Sequence, residues 1–396
     1  MKKSVLSILS VAATVAFFGC SGADEGNGND DTPSIKTGYF LDSGVEGIQY
    51  SGGMGTSGVT GTGGSFLYKD GESVHFSLHA VEFGSALGSS IVTPIDMVSE
   101  QASINIVRLL MGLDEDGDAS NGITITTQTL EDSKSWSGLD FDVADVAFVS
   151  NVSSAGILTT LAAEATARAH LENTLKCAYS GAFTGSWNAV YHDPVEGDIP
   201  TNGSMAMIIE ANGNVAGAGH EGNGDSTLDL SQGNANILNK TFTLSGNVVD
   251  SPETGGGTSS FSSINGAIHT ADTAGADFSV GGGSSTGHYE LSRVGSLGNA
   301  VYRFTGFYYE GHVAGVYALD VAENGNVRGA AYDLEEKATF PFTGTAVNGI
   351  LQLNISDGTT VSGNIDLVNG SLANVTWEDT EDNSSGTMTG SGCKLN

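Results

Sequence analysis

The sequence predicts a mainly β protein with a smaller helical part. The expected order is an N-terminal α+β domain, an antiparallel β-sandwich plus two helices, followed by antiparallel β-sandwich or barrel repeats. Three observations carry this. Gly is abundant at 57 of 396 residues while Pro is scarce at 6, the composition of many short strands joined by tight turns. Only two segments keep a helical apolar period over several turns. A hexapeptide, Asn212-Gly-Asn-Val-Ala-Gly217, returns as Asn324-Gly-Asn-Val-Arg-Gly329, so the C-terminal half reads as two related units.

The chain opens with Lys2 and Lys3, an apolar run from Val5 to Phe18, then Gly19, Cys20 and Ser21. A basic start, a short apolar core and a small residue before a cysteine make a signal segment. It resembles a bacterial lipoprotein signal, with Phe17 where that class usually carries Leu. The resemblance implies removal of the signal, lipidation of Cys20 as the mature N-terminus and, with no Asp after the cysteine, transfer to the outer membrane. The alternative is an ordinary secretory signal. The apolar run is shorter than the roughly 20 residues that span a bilayer. Residues 21–35 are acidic and aperiodic and read as a flexible tether.

Residues 36–176 form the expected α+β domain. Thr37–Leu41, Gly47–Tyr50, Gly64–Tyr68 and Val74–Leu78 are strand-like runs between Gly-rich turns. Ala102, Ile106, Leu109, Leu110 and Leu113 share one helical face, with Ser99 as N-cap and Gly112 near the end. A second helix is expected from about Ile157 to Leu175, on the spacing of Ala163, Ala167, Leu171 and Leu175. Several segments then stand in a familiar order: Thr37–Tyr50, Gly71–Leu78, Val92–Asp96, Asn105–Leu110, Leu113–Asp118, Asn121–Ile123 and His170–Leu175. Together they resemble a recurrent, largely uncharacterised lipoprotein domain of Gram-negative envelopes. Its opening is similar to transthyretin-like or adhesin-type β-modules. The resemblance implies a place in the cell envelope and little about chemistry.

Residues 177–295 and 296–396 are the two expected β units, as separate barrels or as halves of one closed sheet. They are similar to Gly-rich antiparallel repeats of bacterial surface lipoproteins. Asn-Gly between alternating strands predicts hairpins in which both central residues take positive φ. With Cys20 assigned to lipid, Cys177 and Cys393 remain. In an oxidising compartment they pair as a disulfide, or else stay as two buried thiols.

The net charge of -32 excludes nucleic acid as a partner and suits divalent cations. Asp114, Asp116, Asp118 and Asn121 place oxygens at alternate positions after a helix, the spacing of a calcium loop. Ala119 and Ile125 stand where an EF-hand needs Gly and Glu, so further ligands from Asp140, Asp142 or Asp145 would be required. The plain alternative is a solvated acidic turn. Apart from calcium, no cofactor is expected.

No catalytic constellation stands out. Gly53–Gly58 matches GxGxxG without a following helix, and Gly283–Gly287 matches GxSxG without a strand-to-helix elbow. His75 and His79 lie in strand-like sequence, too far apart for one metal. Trp187, Tyr191 and His192 in the first unit, and Tyr308, Tyr309 and His312 in the second, cluster near turns. Trp187, Tyr308 and Tyr309 are the candidates for a surface glycan or protein ligand, although aromatics at strand spacing usually fill a core. The expected role is therefore a lipid-anchored envelope protein, structural or adhesive and non-catalytic. An envelope hydrolase or a carbohydrate-binding accessory is the alternative, to be recognised by converging buried carboxylates or a Ser-His pair.

Overall fold

The computed structural model describes residues 34–222, 226–252, 256–295 and 300–395. The signal segment, Cys20 and almost all of the tether lie outside them. No helix among the described residues is long and apolar enough to cross a membrane.

The N-terminal part is built on alternation. In Ser73–Leu78 every second residue, Val74, Phe76 and Leu78, is buried, and Val81 and Phe83 repeat the pattern on the next strand. These strands join Gln49–Gly52 and Ser57–Val59 in a four-stranded antiparallel sheet. Against it lies a three-stranded sheet in which Ile35–Phe40 pairs antiparallel with Ser65–Lys69 and parallel with Ile91–Val92. Phe40, Phe66 and Phe76 meet between the sheets, with ring centroids 4.7 and 5.1 Å apart from Phe76.

The helix Glu100–Leu113 starts as its sequence predicts, with Ser99 Oγ accepting the Ala102 N–H at 3.2 Å. It is buried on two sides. Ala102, Ile106, Leu109, Leu110 and Leu113 face the sandwich core, while Ile104 and Val107 face a second core continuous with the first barrel.

The other long helix, Glu164–Tyr179, begins and ends later than its spacing suggested. Ile157, Leu158 and Leu161 instead pack as irregular chain onto the sandwich core. An unexpected helix, Asp145–Ser154, lies before them. Its Ser, Asn and Asp content gives little intrinsic preference for helix. Tertiary contacts hold it: Phe148 and Val152 are buried, Asp145 pairs with the buried Arg108 at 2.8 Å, and Arg108 lies over the Phe148 ring.

The C-terminal half forms two closed up-and-down barrels of eight antiparallel strands each. In the first, Gly181–Asp193 pairs with Gly197–Ile209 on one side and closes on Ser285–Arg293 on the other. In the second, Tyr302–Tyr309 closes on Ser384–Lys394. The repeated hexapeptide forms the same hairpin in both, but not the turn expected. Gly213 and Gly325 have φ of 91° and 81°, while Asn212 and Asn324 stay at negative φ and accept the N–H two residues on. This is a type I turn followed by a left-handed glycine. The doubly positive turn occurs at Asn348-Gly349 instead, with φ of 53° and 77°.

The barrels pack side by side through Ala182, Ala206, Ile208 and Ala218 of one and Val316, Ala318 and Ala330 of the other. Small side chains let the two sheets approach. At this seam the helix Glu164–Tyr179 ends with carbonyls that lack helical donors. Arg293 Nη1 donates to Ser180 O at 2.7 Å, and Arg303 Nη1 reaches Ala178 O and Ser180 O at 3.3 Å. Arg303 Nε also donates to Asp320 Oδ1 at 3.2 Å. Burial, and then the neighbouring Arg303, push the Arg293 pKa down, while burial pushes Asp320 up. Beside them Cys177 and Cys393 form a disulfide, Cα atoms 5.6 Å apart, joining the helix to the last strand of the second barrel. The bond closes a loop of 216 residues. In the chain-entropy model such a closure contributes at most about 5 kcal/mol.

Candidate functional site: an acid-rimmed barrel mouth

The second barrel has chemically different ends. The turns at one end are Ala322–Gly325, Asn348-Gly349 and Leu367–Gly370, each closing on Asn-Gly. The turns at the other end are Glu310–His312, Leu334–Lys337, Ser356–Thr359 and Thr380–Asn383, and they are acidic. Local chemistry explains part of this. Asp333 Oδ1 accepts the N–H groups of Glu335 and Glu336, Asp357 Oδ1 that of Thr359, and Asp379 Oδ1 that of Glu381, at 2.7 to 2.9 Å. Each is an Asx turn, and Asp suits that position. Up-and-down topology brings alternate turns to one mouth.

The result is a cavity of about 510 Å³. Phe342, Leu353, Val361 and Met388 form its floor, and Tyr308, Phe340, Ile355 and Trp377 its walls. Seven carboxylates ring it: Glu310, Asp333, Glu335, Glu336, Asp357, Asp379 and Asp382, with no Lys, Arg or His among the lining residues. The walls are fixed. Tyr308 donates to Asp333 Oδ2 at 2.8 Å, Trp377 Nε1 donates to Tyr309 O at 3.2 Å, and the two rings meet edge to face. Burial, followed by Asp333, Asp357, Asp382 and Glu335, pushes the Glu336 carboxyl up. Burial and the hydrogen bond to Asp333 push the Tyr308 hydroxyl up. A low-dielectric floor beneath these carboxylates attracts cations, with His312 and Lys337 of the same turns standing outside the lining.

Of the aromatic candidates, Tyr308 lines this mouth. Tyr309, the next residue in the strand, points outward and packs near Phe307 at 6.4 Å. Trp187 lies in the other barrel, at a mouth of about 410 Å³. The carboxylates of the rim were not singled out by sequence reading, being spread from residue 310 to 382. The available signal was the alternation of acidic turns with Asn-Gly turns.

The acidic loop after the first long helix is separate from both mouths. Asp116 accepts from Asp118 N at 2.8 Å and from Asn121 Nδ2 at 3.0 Å, and Asp118 accepts from Ser120 N and Oγ at 3.1 and 2.6 Å. Asp114 Oδ1 accepts from Thr124 N at 2.8 Å, while its buried Oδ2 has no donor among the described residues. Burial, and then the neighbouring Asp116, push the Asp114 carboxyl up. The side chains suggested as extra ligands are elsewhere. Asp142 accepts from Ser99 Oγ at the opposite end of that helix, about 20 Å away by helical rise. Asp140 accepts from Asp142 N, and Asp145 is paired with Arg108. Among the described residues no group of three or more His, Cys, Asp or Glu side chains is arranged to hold a metal.

A Ser-His pair does exist. His170 Nε2 stands 3.1 Å from Ser43 Oγ and 3.2 Å from Asp42 Oδ1. A relay needs the serine and the carboxylate on opposite ring nitrogens. Here one nitrogen serves both, and the group lines neither barrel mouth nor the cavity beside Tyr68 and Asp272. The arrangement ties the helix to the sandwich rather than activating a nucleophile.

No family model matches the sequence, and no curated protein matches it. Among solved structures, a Transferrin Binding Protein B variant from Haemophilus parasuis aligns with 54% of this chain and 68% of its own, at 8% identity and a TM-score of 0.22. Intact Ap-TbpB, with N and C lobes, aligns with 54% of this chain and 77% of its own, at 9% and 0.23. A DUF3598-family protein of unknown function from Nostoc punctiforme aligns with 56% and 98%, at 10% and 0.17. Superpositions this loose carry no argument about function.

Proposed function

We propose that this is a lipid-anchored protein of the cell envelope, non-catalytic, that captures a cationic ligand at the mouth of its second barrel. The observation that carries the reading is the ring of seven carboxylates above an apolar floor and aromatic walls, unopposed by any basic lining residue. A protonated amine with an apolar stem matches both layers: the charge meets the rim, and the methylenes lie against Trp377 and Phe342. A basic segment of a protein partner at the cell surface presents that chemistry in lysine and arginine side chains. Anchoring through Cys20 rests on the signal segment and is tested by mass spectrometry of the mature N-terminus. Ligand capture is tested by titrating spermine into the whole chain, with the rim variants described in the Discussion. A neutral oligosaccharide serves as the competing probe for a glycan-binding role.

A second proposal is calcium at Asp114, Asp116, Asp118 and Asn121. It is supported by the donor-free Oδ2 of Asp114 and by the proximity of two carboxyls that disfavours their joint ionisation. A cation relieves both.

A further inference from the structure

We propose that the mouth of the first barrel binds a compact, neutral, largely apolar molecule presenting one hydrogen-bond acceptor to Trp187. The cavity there measures about 410 Å³, within the range of small-molecule sites. Its inner wall is apolar: Trp187, Leu228, Val248, Phe261, Phe278 and Val280. Eight-stranded barrels are just wide enough to be filled by their own side chains or to hold one small ligand. This barrel does both at different depths. Phe183, Met205, Met207, Phe242 and Leu291 fill the end nearest the helices, and the lumen opens above them.

Trp187 specifies the chemistry. Its side chain is 6% exposed, and its ring meets Phe278 edge to face with centroids 6.0 Å apart. The indole N–H is buried and has no acceptor among the described residues. Buried donors are nearly always paired, and one that is not asks for an explanation. The other barrel supplies the comparison. Trp377 occupies a similar place at its mouth, and its Nε1 donates to Tyr309 O. The fold satisfies one tryptophan internally and leaves the other for a ligand. Charge selects further. Glu221 and Asp250 stand at the rim, both bridged by Ser226 Oγ at 3.1 and 3.0 Å. They repel anions, and among the described residues no basic residue lines the cavity to receive one; the indole N–H, a donor only, cannot receive a protonated amine. An aromatic or aliphatic ketone, ether or ester meets these requirements.

The probe is the neutral ketone dye Prodan, whose emission reports both polarity and hydrogen bonding to its carbonyl. The whole chain is expected to bind it with a saturable emission change. Trp187→Phe keeps an aromatic wall and removes the N–H, and should weaken binding roughly fivefold to tenfold. An analogue with propyl in place of the propionyl group should bind wild type and Trp187→Phe alike. Val248→Phe narrows the lumen and should abolish binding while the melting temperature stays close to wild type. Glu336→Gln, in the other barrel, should leave Prodan binding unchanged, which separates this site from the cationic one. Absence of saturable binding, equal binding by wild type and Trp187→Phe, or binding that survives Val248→Phe in a folded protein would each overturn the proposal.

Discussion

Trp187 stands directly opposite Gly203 across the first hairpin of the first barrel, and a Cβ on that glycine would lie 2.5 Å from the indole. The relationship recurs. Tyr308 faces Gly315, Phe342 faces Gly329, Phe304 faces Gly392 and Trp377 faces Gly386. Wide rings fit inside narrow barrels because the neighbouring strand contributes no side chain at that level. Much of the chain's glycine is therefore packing space rather than turn chemistry.

Gly203→Ala should destabilise the protein by roughly 2–3 kcal/mol, the cost of forcing extra volume into a packed core. Gly53→Ala is the control, because a Cβ there meets nothing closer than 4.0 Å. Denaturant midpoints of the two variants give the comparison. Equal midpoints would show that the ring has another place to go.

Arg303 is 2% exposed and holds Asp320 together with two carbonyls at the helix end. Removing one partner of such a group leaves the other buried and unpaired. Arg303→Leu should therefore cost about 3–5 kcal/mol. Arg303→Leu with Asp320→Leu should recover part of the loss, since no charge is then stranded. A double variant as unstable as the sum of both single changes would argue that the contacts to Ala178 and Ser180 matter more than the ion pair.

The His170 contact gives a pH dependence with a definite sign. Burial of the ring opposes its charge, but Asp42 prevails and raises the pKa above its ordinary value of 6.5. A histidine more basic when folded stabilises the fold below the unfolded pKa. That contribution disappears as pH rises through the folded pKa. Wild type should exceed His170→Gln by roughly 1–2 kcal/mol near pH 5, with the two curves converging in alkali. Curves that stay parallel from acid to alkali would assign the contact to packing.

Calorimetry with calcium decides the acidic loop. Weak binding, at about 10⁻⁴ M or above, is expected, and it should vanish in Asp116→Ala. An unchanged isotherm in that variant would reduce the loop to an acidic turn.

Local signals in the sequence reached the strands, the first long helix and the existence of two β units, because alternation and capping are written in neighbouring residues. They reached Cys177 and Cys393 through the scarcity of cysteine. They did not reach the helix Asp145–Ser154, whose stability comes from Arg108 and the sandwich core. Nor did they join Ser43 to His170, a contact spanning 127 residues. The acidic mouth was written in the sequence, but only in alternate turns. Reading it needs the knowledge that the barrel closes and sends those turns to one end.

The claim that the second barrel captures a cation is tested most directly by calorimetric titration of spermine into the whole chain and into Glu336→Gln/Asp382→Asn. Glu336 and Asp382 are chosen because the turns are pinned by Asp333, Asp357 and Asp379 instead. Wild type should bind one spermine per chain, and the variant should bind roughly fivefold to tenfold more weakly with an unchanged melting temperature. Affinity should fall with added salt, and also as acid protonates Glu336, whose carboxyl is held above its usual range. Identical isotherms for wild type and variant, or an affinity indifferent to salt and pH, would contradict the account.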